Sequence, residues 1–216
     1  MTEVVAELSG NHGGEIDNAF RLISAAKTAG ADSVKFQCFN PWRLAQKRRG
    51  ITWEGKTQTV EELLALYKQT YTPWTWFPEL VAFCGTDIKW FSSVFDPEDV
   101  SFMEKLHCPR YKISAYEQLD GDLIKAVVAT GKPIIMSVRP RPGLTILRAM
   151  DYDGTLPALG LSNHCSNLSW SVVGSHGPMV ECHICLPDVA TPDSGFSLNP
   201  SQFKAFVDAV KVARDA

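Results

Sequence analysis

The sequence predicts an α/β fold, a minimal (β/α)8 TIM-type barrel that lacks its fifth and sixth outer helices. Three observations carry this. Eight short runs rich in Val, Ile, Leu and Phe recur along the 216 residues, each the length of a strand buried on both faces. Helical patterns with clear start and stop signals separate several of them. In the second half the spacing collapses to Arg139–Gly143 and Tyr152–Pro157, too short for the helix that usually carries a parallel crossover.

Taken in order, the expected strands are Val4–Leu8, Ser33–Gln37, Ile88–Val94, Arg110–Ser114, Pro133–Val138, Leu144–Met150, Ala158–Asn163 and Met179–Ile184. Between the first two, Ile16, Phe20, Ile23 and Ala26 keep a helical rhythm to Ala29, and Gly30 supplies the stop. Asp96-Pro97-Glu98-Asp99 combines an N-cap, a first-turn proline and two acids ahead of Val100, Met103 and Leu106. Leu123–Thr130 ends at Gly131, and Asn199-Pro200 opens a last helix with Phe203, Phe206, Val207 and Val210 facing inward. Strand–helix alternation argues for a parallel sheet, and eight strands for closure. Five extended residues cover at most about 17 Å, so a bare return after the fifth strand is possible and a helix is not. No low-complexity tract or linker divides the chain, and residues 1–216 read as one domain.

Hydrophobic residues make up 45% and charged residues 21%, and the formal net charge is -3. That balance gives no reason to expect nucleic acid or an anionic membrane as partner. No apolar run approaches the roughly 20 residues of a membrane span. The start MTEVVAELSG has neither the basic start nor the apolar core of a secretory signal, so a cytoplasmic location is expected. Six scattered cysteines do not form a secreted disulfide framework, and no second cysteine pair accompanies Cys182-His183-Ile184-Cys185 at zinc-finger spacing; buried thiols are expected instead.

Polar residues interrupt the apolar runs at one end. Glu7 ends the first strand, Lys35 and Gln37 sit on the second, and Ser92-Ser93 end the third. Lys112 and Ser114 follow on the fourth, Ser162 and His164 on the seventh, Glu181 and His183 on the eighth. If all strands run the same way, these side chains gather at the C-terminal mouth of the barrel, where such enzymes keep their active sites. Lys35 and Lys112 lie inside apolar runs, where an unpaired ammonium costs several kcal/mol. Each is therefore in a buried ion pair with Glu7 or Glu117, or awaits an anionic ligand, or is a Schiff-base lysine. His164 and His183 are either satisfied core groups or, with Glu7 and Glu181 available, ligands of a divalent metal. The glycines of Gly10-Asn11-His12-Gly13-Gly14 mark a loop where backbone amides can approach a ligand; they match no nucleotide-binding fingerprint.

Ala6-Glu7-Leu8 followed by Gly10-Asn11-His12-Gly13-Gly14, and Ala25-Ala26-Lys27 through Gly30-Ala31-Asp32-Ser33-Val34-Lys35-Phe36-Gln37, resemble the opening of sialic acid synthases and their legionaminic and pseudaminic acid relatives. Ser92–Asp96, Tyr111–Ser114, Thr130–Pro133, Gly160–His164 and Phe196–Leu198 continue the resemblance in order over nearly the whole chain. It implies condensation of phosphoenolpyruvate with an N-acetylated (2-acetamido) sugar aldehyde, giving a nine-carbon 2-keto acid and phosphate. It also implies a divalent metal, manganese with magnesium or cobalt as alternatives, on His164 and His183, acting as a Lewis acid. Lys35, Lys112, Ser93 and Ser162 match positions that hold phosphoenolpyruvate. Glu7 and Glu117 fall on acidic positions for proton transfer and sugar contact. Gln37, Asp193 and, more loosely, Tyr152 match sugar-side positions. A homo-oligomer is the assembly implied.

The resemblance covers the catalytic barrel without the antifreeze-like C-terminal domain, which in the family supplies an arginine to a partner's sugar site. Ala115 and Cys182 stand where the family has serine and lysine, and Ser137-Val138-Arg139 replaces a small strand end. The phosphoenolpyruvate and metal side is thus expected intact and the sugar side rebuilt, with Arg139 or Arg141 as substitute for the missing arginine. A binder without turnover, a subunit dependent on a partner, and a metal-independent Schiff-base lyase are the competing readings.

Overall fold

Every one of the eight apolar runs is a strand in the computed structural model, which describes residues 2–53, 55–141, 144–150, 158–163 and 177–215. Of residues 53, 138–141, 144–150, 158–160, 163, 214 and 215 it describes the backbone alone. The strands are β1 (Glu3–Glu7), β2 (Ser33–Cys38), the two short strands β3 (Thr52–Trp53) and β4 (Lys56–Thr57), β5 (Lys89–Val94), β6 (Tyr111–Ile113), β7 (Ile134–Arg141), β8 (Leu144–Met150), β9 (Ala158–Asn163) and β10 (Met179–His183). All but β3 and β4, which pair with each other, close one barrel in the order β1-β2-β5-β6-β7-β8-β9-β10, with β10 returning to β1.

Seven barrel strands are parallel. The eighth is not: β8 runs antiparallel to both β7 and β9, from Ile134↔Met150 to Arg141↔Leu144 on one side and Leu144↔Asn163 to Ala149↔Ala158 on the other. The expectation that all strands point one way therefore fails at this strand, for a physical reason. A parallel return would have to stretch the linker along a whole strand, whereas an antiparallel neighbour needs only a hairpin. Most of the expected linker is in fact strand, since β7 extends through Arg139-Pro140-Arg141. The register shifts between Val138 and Arg141, around Pro140, which cannot donate to a ladder and is tolerated at such an irregularity.

The helices are α1 (Ile16–Ala29), α2 (Pro41–Lys47), α3 (Val60–Thr70), α4 (Phe77–Cys84), α5 (Pro97–Lys105), α6 (Gly121–Val128) and α7 (Pro200–Asp215). In α1 the residues Ala19, Leu22, Ile23, Ala26 and Ala29 form the buried stripe, and Gly30 (φ 82°) ends the helix by donating to Ala26 and Lys27 carbonyls. Lys211 of α7 donates to the Gly30 carbonyl (3.0 Å) and ties the last helix to the first. Asp96 caps α5 as expected, accepting from Glu98 N.

The segment between β2 and β5, in which the sequence reading placed no element, holds α2, α3 and α4 and the β3–β4 hairpin. Its starts are well capped. Asn40 accepts from Trp42 N and Arg43 N, and Thr59 and Glu62 form a reciprocal capping box. Phe39, Leu44, Ala45, Leu63, Tyr67 and Phe95 make a second small core there, apart from the main one. Trp74 stacks on Phe102 (4.5 Å between centroids) and Phe77 is fully buried, so these aromatics serve local packing.

Strand alternation sorts the barrel walls. Val4, Ala6, Val34, Phe36, Val180 and Cys182 face the helix layer and are buried in the main core. Between them point Glu3, Glu7, Lys35, Lys112 and Glu181. At the N-terminal end Glu3 takes Arg110 in a bidentate pair, accepts from Ser33 (2.7 Å), and Arg110 lies 4.0 Å over Phe91. This plug fills one end and leaves the chemistry to the other. The five described cysteines are buried and unbridged, as their scatter predicts.

Candidate active site

A cavity of about 310 Å³ opens at the C-terminal mouth, walled by Glu7, Ser9, Lys35, Gln37, Arg48, Ser93, Lys112, Ser162, Glu181, His183 and Asp193 among others. The structure thus brings together Glu7, Lys35, Gln37, Ser93, Lys112, Ser162, His183 and Asp193. Glu117 is not on that wall, and His164 and Tyr152 lie outside the described residues, as do the side chains of Arg139 and Arg141.

The two lysines answer the question their burial raised. Lys35 is in direct ion contact with Glu7, donates to Ser93 Oγ (2.9 Å) and lies 3.8 Å from Glu181. Lys112 pairs with Glu181 (2.6 Å) rather than with Glu117, and Ser162 donates to the same carboxylate oxygen (3.2 Å). Burial pushes the Lys35 ammonium down to about 7, against the pull of Glu181 and with the push of Lys112. Burial alone would raise the Glu181 carboxyl, but Lys112 and Lys35 hold it at about 2. The result is a dry, alternating array of two cations and two anions with serine hydroxyls between them.

Glu7 and Glu181 are thus each in ion contact with a lysine. The acid beside His183 is Asp193, 4.0 Å from Nδ1, while Phe196 packs edge-on against the imidazole. Burial raises Asp193, and Ser9, Lys35 and the Gly10 amide oppose that rise. A histidine at the cavity wall with a carboxylate at its side is a donor set suited to a divalent cation. Among the described residues no cluster of three or more such ligands occurs.

Glu117 stands one layer behind. Arg48, at the C-terminal end of α2, meets it with two bonds (2.7 and 2.8 Å), and Ser114 adds a third. The guanidinium lies over Tyr116 (4.7 Å) and Phe95 (5.3 Å), which makes one planar group both ion pair and aromatic contact. Sequence reading missed Arg48, which sits in the basic run Lys47-Arg48-Arg49 and has no apolar frame to single it out. It also missed Ser9, whose only signal was its place between Glu7 and the glycine loop.

The loop after β1 is packed against α3 and the segment after β10. A Cβ on Gly10 would lie 2.5 Å from Thr70, and one on Gly13 (φ 60°) 2.8 Å from Val189. Asn11 donates to the Ile184 carbonyl (2.8 Å) and to Ser197 (2.9 Å), which binds the first strand's loop to the last.

The NeuB family profile matches residues 22–139. Pseudaminic acid synthase of Helicobacter pylori is 31% identical over 252 aligned positions, which cover 97% of this chain and 73% of that protein. Its counterpart from Campylobacter jejuni is 29% identical, covering 99% and 74%. Both alignments run longer than the 216 residues here, so these relatives carry residues within the shared span that have no counterpart in this chain. Among solved structures, N-acetylneuraminic acid synthetase of Leptospira borgpetersenii, in complex with citrate, superposes with a TM-score of 0.80 at 18% identity, covering 99% of this chain and 84% of that one. That likeness speaks for the fold. The profile spans more than half of the chain and the Helicobacter pylori synthase is 31% identical with 73% of its length covered: the chain belongs to the NeuB family.

Proposed function

We propose that the cavity condenses phosphoenolpyruvate with a 2-acetamido sugar aldehyde, forming a nonulosonic 2-keto acid and inorganic phosphate. The observation that carries this is the pair of buried lysines on β2 and β6 of one cavity, Lys35 bonded to the Ser93 hydroxyl and Lys112 sharing a Glu181 oxygen with the Ser162 hydroxyl. Lys35 with Ser93 and Lys112 with Ser162 suit an anion bearing both a carboxylate and a phosphate. The phosphoenolpyruvate methylene carbon bonds to the aldehyde carbon, water adds to the carbon bearing phosphate, and that C–O bond breaks to release phosphate. Glu7, in contact with Lys35, is placed to exchange a proton with the reacting groups. Gln37, Asp193 and Tyr152 form the sugar side. Glu117, committed to Arg48, serves the site by fixing that arginine against the mouth. His183 with His164 would hold a divalent cation, manganese first and magnesium or cobalt next, which supplies Lewis acidity toward the aldehyde oxygen when bound.

The test is phosphate release from phosphoenolpyruvate with manganese and a panel of 2-acetamido sugars. Release that depends on one acceptor, and falls at least about a hundredfold in Lys112→Met, is the expected result. Absence of release with every acceptor would leave a binding protein or a subunit that needs a partner. Lysine imine chemistry is a second reading, favoured by the Lys35 amine held near 7. Borohydride in the presence of pyruvate would then inactivate the protein covalently at Lys35, and no adduct is expected under the condensation reading.

A further inference from the structure

Ser9 is one of two described residues other than glycine with a positive φ (47°). An L-residue in that region carries strain that a glycine would not, and such strain persists where neighbouring contacts over-determine it. Ser9 is 5% exposed and has three such contacts. Its N–H donates to Glu7 Oε1 (2.7 Å), its Oγ donates to Asp193 Oδ2 (2.5 Å), and the same Oγ accepts from Gln37 Nε2 (3.0 Å). No other described residue hydrogen-bonds Glu7, Gln37 and Asp193 together.

The direction of these bonds is fixed by chemistry. An ionised carboxylate only accepts, and Asp193 also takes the Gly10 amide, so the single Ser9 hydroxyl proton goes to Asp193. The Ser9 oxygen then can only accept, so Gln37 must present its NH2 to it. That leaves Gln37 Oε1, which no described residue hydrogen-bonds, as the acceptor offered to a ligand.

We propose that Ser9 is the positioning residue of the acceptor side: it orients Gln37 so that Oε1 receives an N–H or O–H of the sugar, and it holds Asp193 beside His183. The inference rests on the condensation reading and deepens it, because a 2-acetamido sugar carries both kinds of donor. Neither Lys35 nor Lys112 hydrogen-bonds Ser9; Lys35 meets it only through Glu7, by way of the Ser9 backbone N–H, which both side-chain variants keep.

Two variants test this. Ser9→Ala removes the hydroxyl and keeps the strain; Ser9→Gly removes both and guards against a misfolded alanine variant. In each, KM for the acceptor sugar is expected to rise about tenfold to a hundredfold, the scale of a lost hydrogen bond to a charged or ligand-facing group. KM for phosphoenolpyruvate should stay within about twofold. Ser9→Gly should melt above Ser9→Ala, since glycine relaxes the backbone. Without any substrate, the Gln37 side-chain amide resonances in 15N-labelled protein should move in both variants. Unchanged sugar KM, or an equal rise in both KM values, overturns the proposal, and so does an unmoved Gln37 resonance. If the wild type turns over no acceptor, the condensation reading fails while the resonance still decides whether Ser9 orients Gln37.

Discussion

His12 and Glu181 are both buried, and they give the protein's stability a pH dependence that can be assigned residue by residue. His12 accepts Gly14 N–H at Nδ1 (3.0 Å) and faces Thr72 Oγ1 from Nε2 (3.3 Å), a pattern that keeps it neutral, and burial pushes it down to about 4. The unfolded chain therefore binds a proton that the folded one refuses between about 6.5 and about 4. Stability is lost as pH falls through that window, by on the order of 3 kcal/mol. Glu181 acts lower: its depressed carboxyl contributes stability that is full above 4.5 and is lost as pH falls toward about 2. Urea unfolding followed from pH 7 to pH 3 should show both limbs, and His12→Gln should flatten only the upper one. At this scale the sequence made the lysines legible, because a charge inside an apolar run demands a partner. It could not choose the partner, since Glu7, Glu117 and Glu181 are equivalent until the barrel sets their register.

The short helices α2 and α3 form an annex held to the barrel by its own small core, by Arg43 and Lys47 ion pairs, and by one buried arginine. Arg48 leaves α2 to reach Glu117 in the loop after β6, and its side chain is 11% exposed while that of Glu117 is 2% exposed. Arg48→Met would keep the aromatic contacts and strand a buried carboxylate, with an expected loss of about 3–5 kcal/mol. Chemical denaturation should detect it, and the double variant Arg48→Met/Glu117→Leu should recover most of the loss. A double variant no more stable than the single one would mean the pair itself, not the stranded charge, sets the cost. The annex was not read from the sequence although its caps are present in Asn40-Pro41 and Thr59-x-x-Glu62. Its apolar residues serve a separate small core, and α2 is only seven residues long, too short for periodicity to declare itself. Helices α1, α5 and α7 were legible because each lays a long stripe on the barrel.

For the whole molecule, the eight strands and the closed barrel followed from the count of apolar runs, whereas the direction of β8 did not. Strand runs buried on both faces look the same in either direction; only the length of the connection distinguishes them. The antiparallel register places Met136 opposite Arg148. Directly opposed residues in such a pair sit at Cα distances compatible with a disulfide. Met136→Cys with Arg148→Cys should therefore cross-link under mild oxidation, detected as a mobility shift reversed by reductant, whereas a parallel β8 would oppose a different residue to Met136 and give no bond. No helix among the described residues is long and apolar enough to cross a membrane.

The reversed strand also bears on how the chain finds this barrel. β7, β8 and β9 follow one another in sequence and pair in that order, so these three of the eight barrel strands are a meander of short-range contacts. Joining Glu3 to Met179 and Glu7 to His183, by contrast, brings the two ends of the chain together. Short loops cost less entropy to close and form sooner. The meander is thereby a natural early platform, and the β1–β10 seam, which carries Glu7, Glu181 and His183, is the natural last closure. Cavity and fold would then be completed in the same event, and a half-assembled barrel would have no binding site to offer.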